Sequence, residues 1–264
     1  MIDKLEINKC MKSVTCTLLI LPAVLTWIFV SGPALASNSG PAHPPIKKSA
    51  PKKIMLLGDS ITQGSAKTGN YRQPLYRLLQ HGGYSIDFVG SLNTEYGVTL
   101  PSTAYDPDHE GHWAWRADEV LTRINGWAQT AKPDIILLHL GTNDVGSGQS
   151  IKGTVQELRD IIDVIRNANP CVVVLVAKII PLKHFLAGKR IPIFNKALES
   201  LLELNTKDSP IVLVDQFTGM DPDKDLYDGV HPNNAGAQKM AQKWYLALQP
   251  HLGSPHQNSA QDAH

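Results

Sequence analysis

The chain has 264 residues, 42% hydrophobic and 19% charged, a soluble balance with room for one generous α/β domain or two small ones. A formal net charge of +1 offers no electrostatic case for nucleic acid, whose binding needs a concentrated basic face. No charged run and no internal repeat is present.

At the amino end, an apolar run from Val14 to Val30 follows Lys9 and Lys12, and the small residues Ala34 and Ala36 come next. That order predicts an export signal, residues 1–36, cleaved after Ala36. An uncleaved anchor is the alternative, since the run nearly reaches spanning length. Either reading places the remainder outside the cytoplasm, with no stable membrane association once the signal is removed. Residues 37–51, SNSGPAHPPIKKSAP, read as a flexible leader, and residues 253–264 as a polar disordered tail. The folded domain is therefore expected over 52–252.

Within it, five short runs have the length and content of strands: KIMLLG, SIDFVGS, DIILLHLG, CVVVLVAK and PIVLVDQF. Apart from SIDFVGS they are almost continuously apolar, as parallel strands covered on both faces must be. Between them lie helical patterns. YRQPLYRLLQHGG aligns Leu75, Leu78 and Leu79, RADEVLTRINGWAQT aligns Val120, Leu121, Ile124 and Trp127, and TVQELRDIIDVIRNANP aligns five apolar positions before Pro170. IFNKALESLLELN and AQKMAQKWYLALQ repeat the pattern. The alternation predicts one α/β domain around a mainly parallel five-stranded sheet, with ligands beyond the carboxyl ends of its strands.

Those ends carry the reactive residues. The first strand runs into Asp59 and Ser60, the second ends at Gly90, and the third leads to Gly-Thr-Asn143-Asp144. Much later, LYDGVHPNNAG offers Asp228 and His231 on one loop. A serine hydroxyl is a weak nucleophile and needs a positioned base, itself oriented by a third group. His231 and Asp228 supply these types. The N–H groups of Ser60 and Gly90 and the Asn143 amide are the candidate donors for an oxyanion. Each motif alone also reads as a turn or helix cap; the coincidence of three in this order points to catalysis.

The succession GDSITQG, Gly90, GTND and DGVH resembles the GDSL-type, or SGNH, hydrolase superfamily, whose four letters match Ser60, Gly90, Asn143 and His231. The resemblance spans Lys53 to about Leu252. It implies a flavodoxin-like α/β/α sandwich, a serine-esterase mechanism and neither cofactor nor metal. NYRQPLYRLLQHGGYSIDFVGSLN and DPDHEGHWAWRADEVL further resemble carbohydrate esterase family 3, which contains acetyl xylan esterases. His109-Glu110-Gly111-His112 and Trp115 match that branch; Trp113 and Ala114 stand where it usually has a small residue and a glycine.

Taken together, these features predict an exported serine esterase removing small acyl groups, acetyl foremost, from carbohydrate. Asp59, His112, Trp113 and Trp115 are the candidates for contacting substrate, with Asp59 and Asp144 also expected to brace the site. A purely structural role for either tryptophan is equally open. His109 and His112 have a spacing that invites a metal, but no complete ligand set accompanies them. Two other functions stand beside this one: a lysophospholipase- or arylesterase-type lipid or thioester hydrolase on the same fold, and a non-catalytic glycan-binding protein.

Overall fold

The first strand, β1 (Lys52–Gly58), shows why these runs are so apolar: alternate side chains enter cores on opposite faces of the sheet. Met55 and Leu57 join one core, Ile54 and Leu56 the other, and all four are fully buried. The structure, a computed structural model, describes residues 50–255. The expected signal at 1–36, most of the leader and most of the polar tail lie outside the described residues.

Five strands follow β1: β2 (Ile86–Val89), β3 (Glu110–Gly111), β4 (Ile135–His139), β5 (Val173–Lys178) and β6 (Ile211–Asp215). Their order is β2-β1-β4-β5-β6, with every pairing parallel and β3 joined to β1. One face is covered by α3 (Ala117–Leu121), α4 (Ile124–Ala131), α6 (Ile151–Ala168) and α7 (Phe185–Ala197), the other by α2 (Arg72–His81) and α8 (Asn234–Leu248). Two short helices, α1 (Ser60–Gln63) and α5 (Thr142–Gly146), start directly beyond β1 and β4. This is the expected α/β sandwich. Among the described residues no helix is long and apolar enough to cross a membrane.

Three elements differ from expectation. RADEVLTRINGWAQT is two helices, broken at Thr122–Arg123. The helix expected from Ile193 begins at Phe185 and carries Pro192 inside it; His184 caps it by accepting from Ala187 N–H at 3.2 Å. Its expected second half is a 3₁₀ turn over Leu198–Leu204. Finally, the two-residue β3 has no sequence signal. It exists because the β1 edge at Leu57–Gly58, which β2 leaves after Met55, still presents backbone groups to pair.

Candidate active site

Gly58 closes β1 so tightly that a Cβ there would come within 2.3 Å of Thr62 Oγ1 and 2.4 Å of the His139 carbonyl. Only glycine lets the chain turn here. Asp59 follows in extended conformation and caps α1, accepting from Ile61 N–H at 2.9 Å. Ser60 is thereby fixed as the first residue of α1, 5% exposed, at the carboxyl edge of the sheet. Its N–H belongs to the first helical turn, which has no acceptor inside the helix.

Asp228 and His231 come from the loop between β6 and α8. Asp228 Oδ1 accepts from the Val230 and His231 N–H groups at 3.0 and 2.9 Å, folding the loop on the carboxylate. Its Oδ2 lies 2.8 Å from His231 Nδ1, and His231 Nε2 lies 2.8 Å from Ser60 Oγ. A carboxylate only accepts, so Nδ1 carries the proton and Nε2 is left to accept from the serine hydroxyl. Burial works to raise Asp228, but the bonds from His231 and Val230 outweigh it and hold the carboxyl below its ordinary range. Asn233, which caps α8, donates to the Lys224 carbonyl at 2.7 Å, and buried Asp225 meets Lys239 Nζ at 2.7 Å. The base loop is thus anchored at its base.

Gly141, at φ 119°, turns β4 into α5; a Cβ there would strike the Phe194 ring at 2.4 Å. Asn143 follows and donates one amide hydrogen to the Trp115 carbonyl at 2.8 Å. Asp144 is buried behind it, accepting from Ala117 N–H at 3.1 Å, and burial raises its carboxyl. A cavity of about 340 Å³ opens between Ala114, Arg116, Asn143, Leu182 and Val230.

The structure does not bring Gly90 to Ser60. Parallel-sheet reasoning set the end of β2 against β1, yet β3 takes the Gly58 edge instead. Gly90 packs on the His109 carbonyl, where a Cβ would approach to 2.1 Å. The main chain beside the nucleophile is the turn after β3, tied to β1 by His112 N–H donating to the Gly58 carbonyl at 3.0 Å. In that turn Ala114 has φ 64°, and its N–H makes no hydrogen bond among the described residues.

His112 and Trp115 also depart from expectation. The His112 ring packs in one cluster with Trp115 and Trp127, its centroid 4.5 and 4.4 Å from theirs and the two indoles 5.9 Å from each other, and its Nε2 lies 2.6 Å from buried Glu110 Oε1. Glu110 in turn holds Ser91 through its N–H and hydroxyl. This is structural packing rather than a substrate rim. Trp113 goes the other way and stacks on the imidazole of His231 at 4.9 Å. Asp59 contacts backbone and is fully buried, which raises its carboxyl to about 7; it braces the turn and has no surface for substrate.

His109 is engaged at both nitrogens, with the Thr94 carbonyl and with Gly111 N–H, each at 3.0 Å. Burial, and then the charge of Arg72, push it down to about 2, so it is neutral. Among the described residues no three metal-ligating side chains converge. Sequence reasoning missed Arg72. It is buried and its guanidinium donates to the carbonyls of Thr62, Gln63 and Pro107 at 2.9, 2.9 and 2.7 Å, fastening the end of α1 to the segment before β3. A lone arginine opening an amphipathic helix gave no signal for this.

Residues 56–239 match the GDSL-like Lipase/Acylhydrolase family. The chain belongs to this family. Its similarity extends to esterases of carbohydrate esterase family 3. A carbohydrate esterase family 3 structure from Talaromyces cellulolyticus is 35% identical, with TM-score 0.66, covering 75% of this chain and 96% of the other. A serine-to-alanine variant of an acetyl esterase, solved with acetate ion, is 34% identical with the same TM-score and coverage. A multidomain esterase of Ruminococcus flavefaciens is 31% identical over 76% of this chain. The chain spans 29% of that relative's length.

Proposed function

We propose that this esterase removes acetyl, or an acyl group of similar size, from carbohydrate, with Ser60 as nucleophile. The carrying observation is the Asp228–His231–Ser60 relay, closed by two contacts of 2.8 Å. Ser60 Oγ attacks the ester carbonyl while His231 Nε2 takes its proton, and Asp228 stabilises the imidazolium. Collapse of the tetrahedral intermediate breaks the ester C–O bond, passes that proton to the departing sugar oxygen, which leaves as a hydroxyl, and leaves an acyl-serine. Water, deprotonated by the same nitrogen, then releases acetate and free Ser60. Ser60 N–H and the free Asn143 amide hydrogen hold the oxyanion. The third donor we assign to Ala114 N–H, which lines the same cavity as Asn143.

Acetyl fits the partly polar wall around Arg116 and Asn143, and the resemblance to an acetyl esterase supports it. A longer acyl chain is the second reading, favoured by Phe185 and Leu186, 75% and 66% exposed just after the cavity residue Leu182. Each methylene buried on such a surface is worth about 0.8 kcal/mol, so a lipid enzyme would show a steep chain-length trend. The test is kcat/KM along p-nitrophenyl esters, with acetate release from acetylated xylan. Acetyl exceeding octanoyl, with acetate released, supports the proposal; efficiency rising to octanoyl with no acetate from any glycan favours the lipid reading.

Export is proposed from the run Val14–Val30 and the alanines before Ser37. Sequencing the secreted protein should give Ser37 first; a membrane-retained chain starting at Met1 or Met11 would support the anchor.

A further inference from the structure

Trp113 stands where the resembling branch carries a small residue, and its indole lies almost parallel to the His231 imidazole, 16° between planes and 4.9 Å between centroids. Tyr96 stacks on the same indole at 4.3 Å and 20°. No ring contact joins Tyr96 to His231 among the described residues, so the two occupy opposite faces of Trp113. The turn bearing Trp113 is itself pinned, by His112 N–H on the Gly58 carbonyl, by Trp115 N–H on the His112 carbonyl at 3.2 Å, and by Asn143 on the Trp115 carbonyl.

We propose that Trp113, buttressed by Tyr96, is a positioning residue for His231. This rests on the reading of His231 as the base. Hydrogen bonds to Asp228 and Ser60 fix the imidazole at its two nitrogens but leave its tilt about the line between them weakly held. A ring laid flat on its face removes that tilt. The cover also explains why the His231 side chain is only 12% exposed while its partner Asp228 is 41% exposed. As the ring takes the serine proton it becomes a cation over an indole face, an attraction that grows only during reaction. Trp113 therefore acts on kcat rather than on substrate capture.

The charged groups around the ring are Asp228 on its own loop, buried Asp59 beside Ser60, and the pair of Glu110 in β3 with His112 in the turn after it. The Lys183–Asp223 pair joins them where Lys183 N–H meets the Gly229 carbonyl.

The experiment uses Trp113→Ser and Trp113→Phe in the intact protein, with circular dichroism to verify folding. Trp113→Ser should lower kcat about 2- to 30-fold with little change in KM, and Trp113→Phe should recover most of it. An imidazolium in face contact quenches indole emission. Wild-type fluorescence should therefore fall with pH alongside the acid limb of kcat/KM, and this step should vanish in both Trp113→Phe and His231→Asn. Any step from His112 against Trp115 and Trp127 persists in both variants. A folded Trp113→Ser enzyme with wild-type kcat, or with only KM altered, overturns the proposal, as does a quenching step that survives His231→Asn. Failure of the underlying reading looks different: His231→Asn itself would keep turnover.

Discussion

The Asn143 side-chain amide donates to the Trp115 carbonyl at 2.8 Å, joining the end of β4 to the turn after β3 beside Ser60. One hydrogen of the amide is spent on this bond and fixes where the other points. Asn143→Ala should reduce kcat about 10²- to 10³-fold, the cost of one oxyanion donor, and steady-state kinetics on p-nitrophenyl acetate checks it. Asn143→Asp should be equally poor, because an ionised carboxylate offers no donor.

Ala114, at φ 64°, occupies a left-handed conformation that costs a side-chain-bearing residue roughly 1–2 kcal/mol. Ala114→Gly should relieve part of that strain, offset by glycine's added unfolded-state freedom, for a net gain of about 0.5 kcal/mol. Activity should be kept, since the donor is backbone. Denaturant melts and kcat together test both halves.

The guanidinium of Arg72 donates to three backbone carbonyls, the Thr62 bond buried and the Gln63 and Pro107 bonds partly so. Arg72→Met leaves them unpaired, at about 1–3 kcal/mol each in the buried limit, so a large drop in stability is expected. Arg72→Lys should recover only part of it, because an ammonium cannot span the planar fork. Thermal melts of the pair decide this.

Asp59 and the buried histidines give opposite pH signatures. Asp59 rises to about 7 on burial, from an ordinary value of 3.8, so the folded state holds the extra proton. Its contribution to stability therefore falls as pH rises between those values. Asn keeps the cap, so Asp59→Asn should flatten that window and stabilise most at and above neutral pH. His109 and His139 are lowered by burial to about 2 and about 4, and each favours the folded state less as pH falls below 6.5. Comparing wild type and Asp59→Asn at each pH separates the two signatures.

Five strands and both reactive loops were legible because each is written locally: apolar runs covered on both faces, and glycine, aspartate and asparagine where the chain must turn. Gly90 was misplaced for a non-local reason. A strand end is a good guide to a site only if nothing intervenes, and β3, two residues long, carries no periodicity to announce itself. His112 and Trp115 illustrate the same limit. Polar and aromatic residues near a cleft look alike in sequence, and only the shared cluster with Trp127 shows which way they face. Arg72 was invisible because its partners are carbonyls, which any residue has.

Chemical labelling tests most directly whether Ser60 carries the acyl group, activated by His231. A fluorophosphonate reacts only with a serine made nucleophilic by its base, and peptide mapping by mass spectrometry locates the adduct. One adduct per chain is expected, on Ser60, formed in step with loss of esterase activity and absent from His231→Ala. Inactivation with the adduct on another residue, or full labelling of Ser60 in the folded His231→Ala protein, would contradict it.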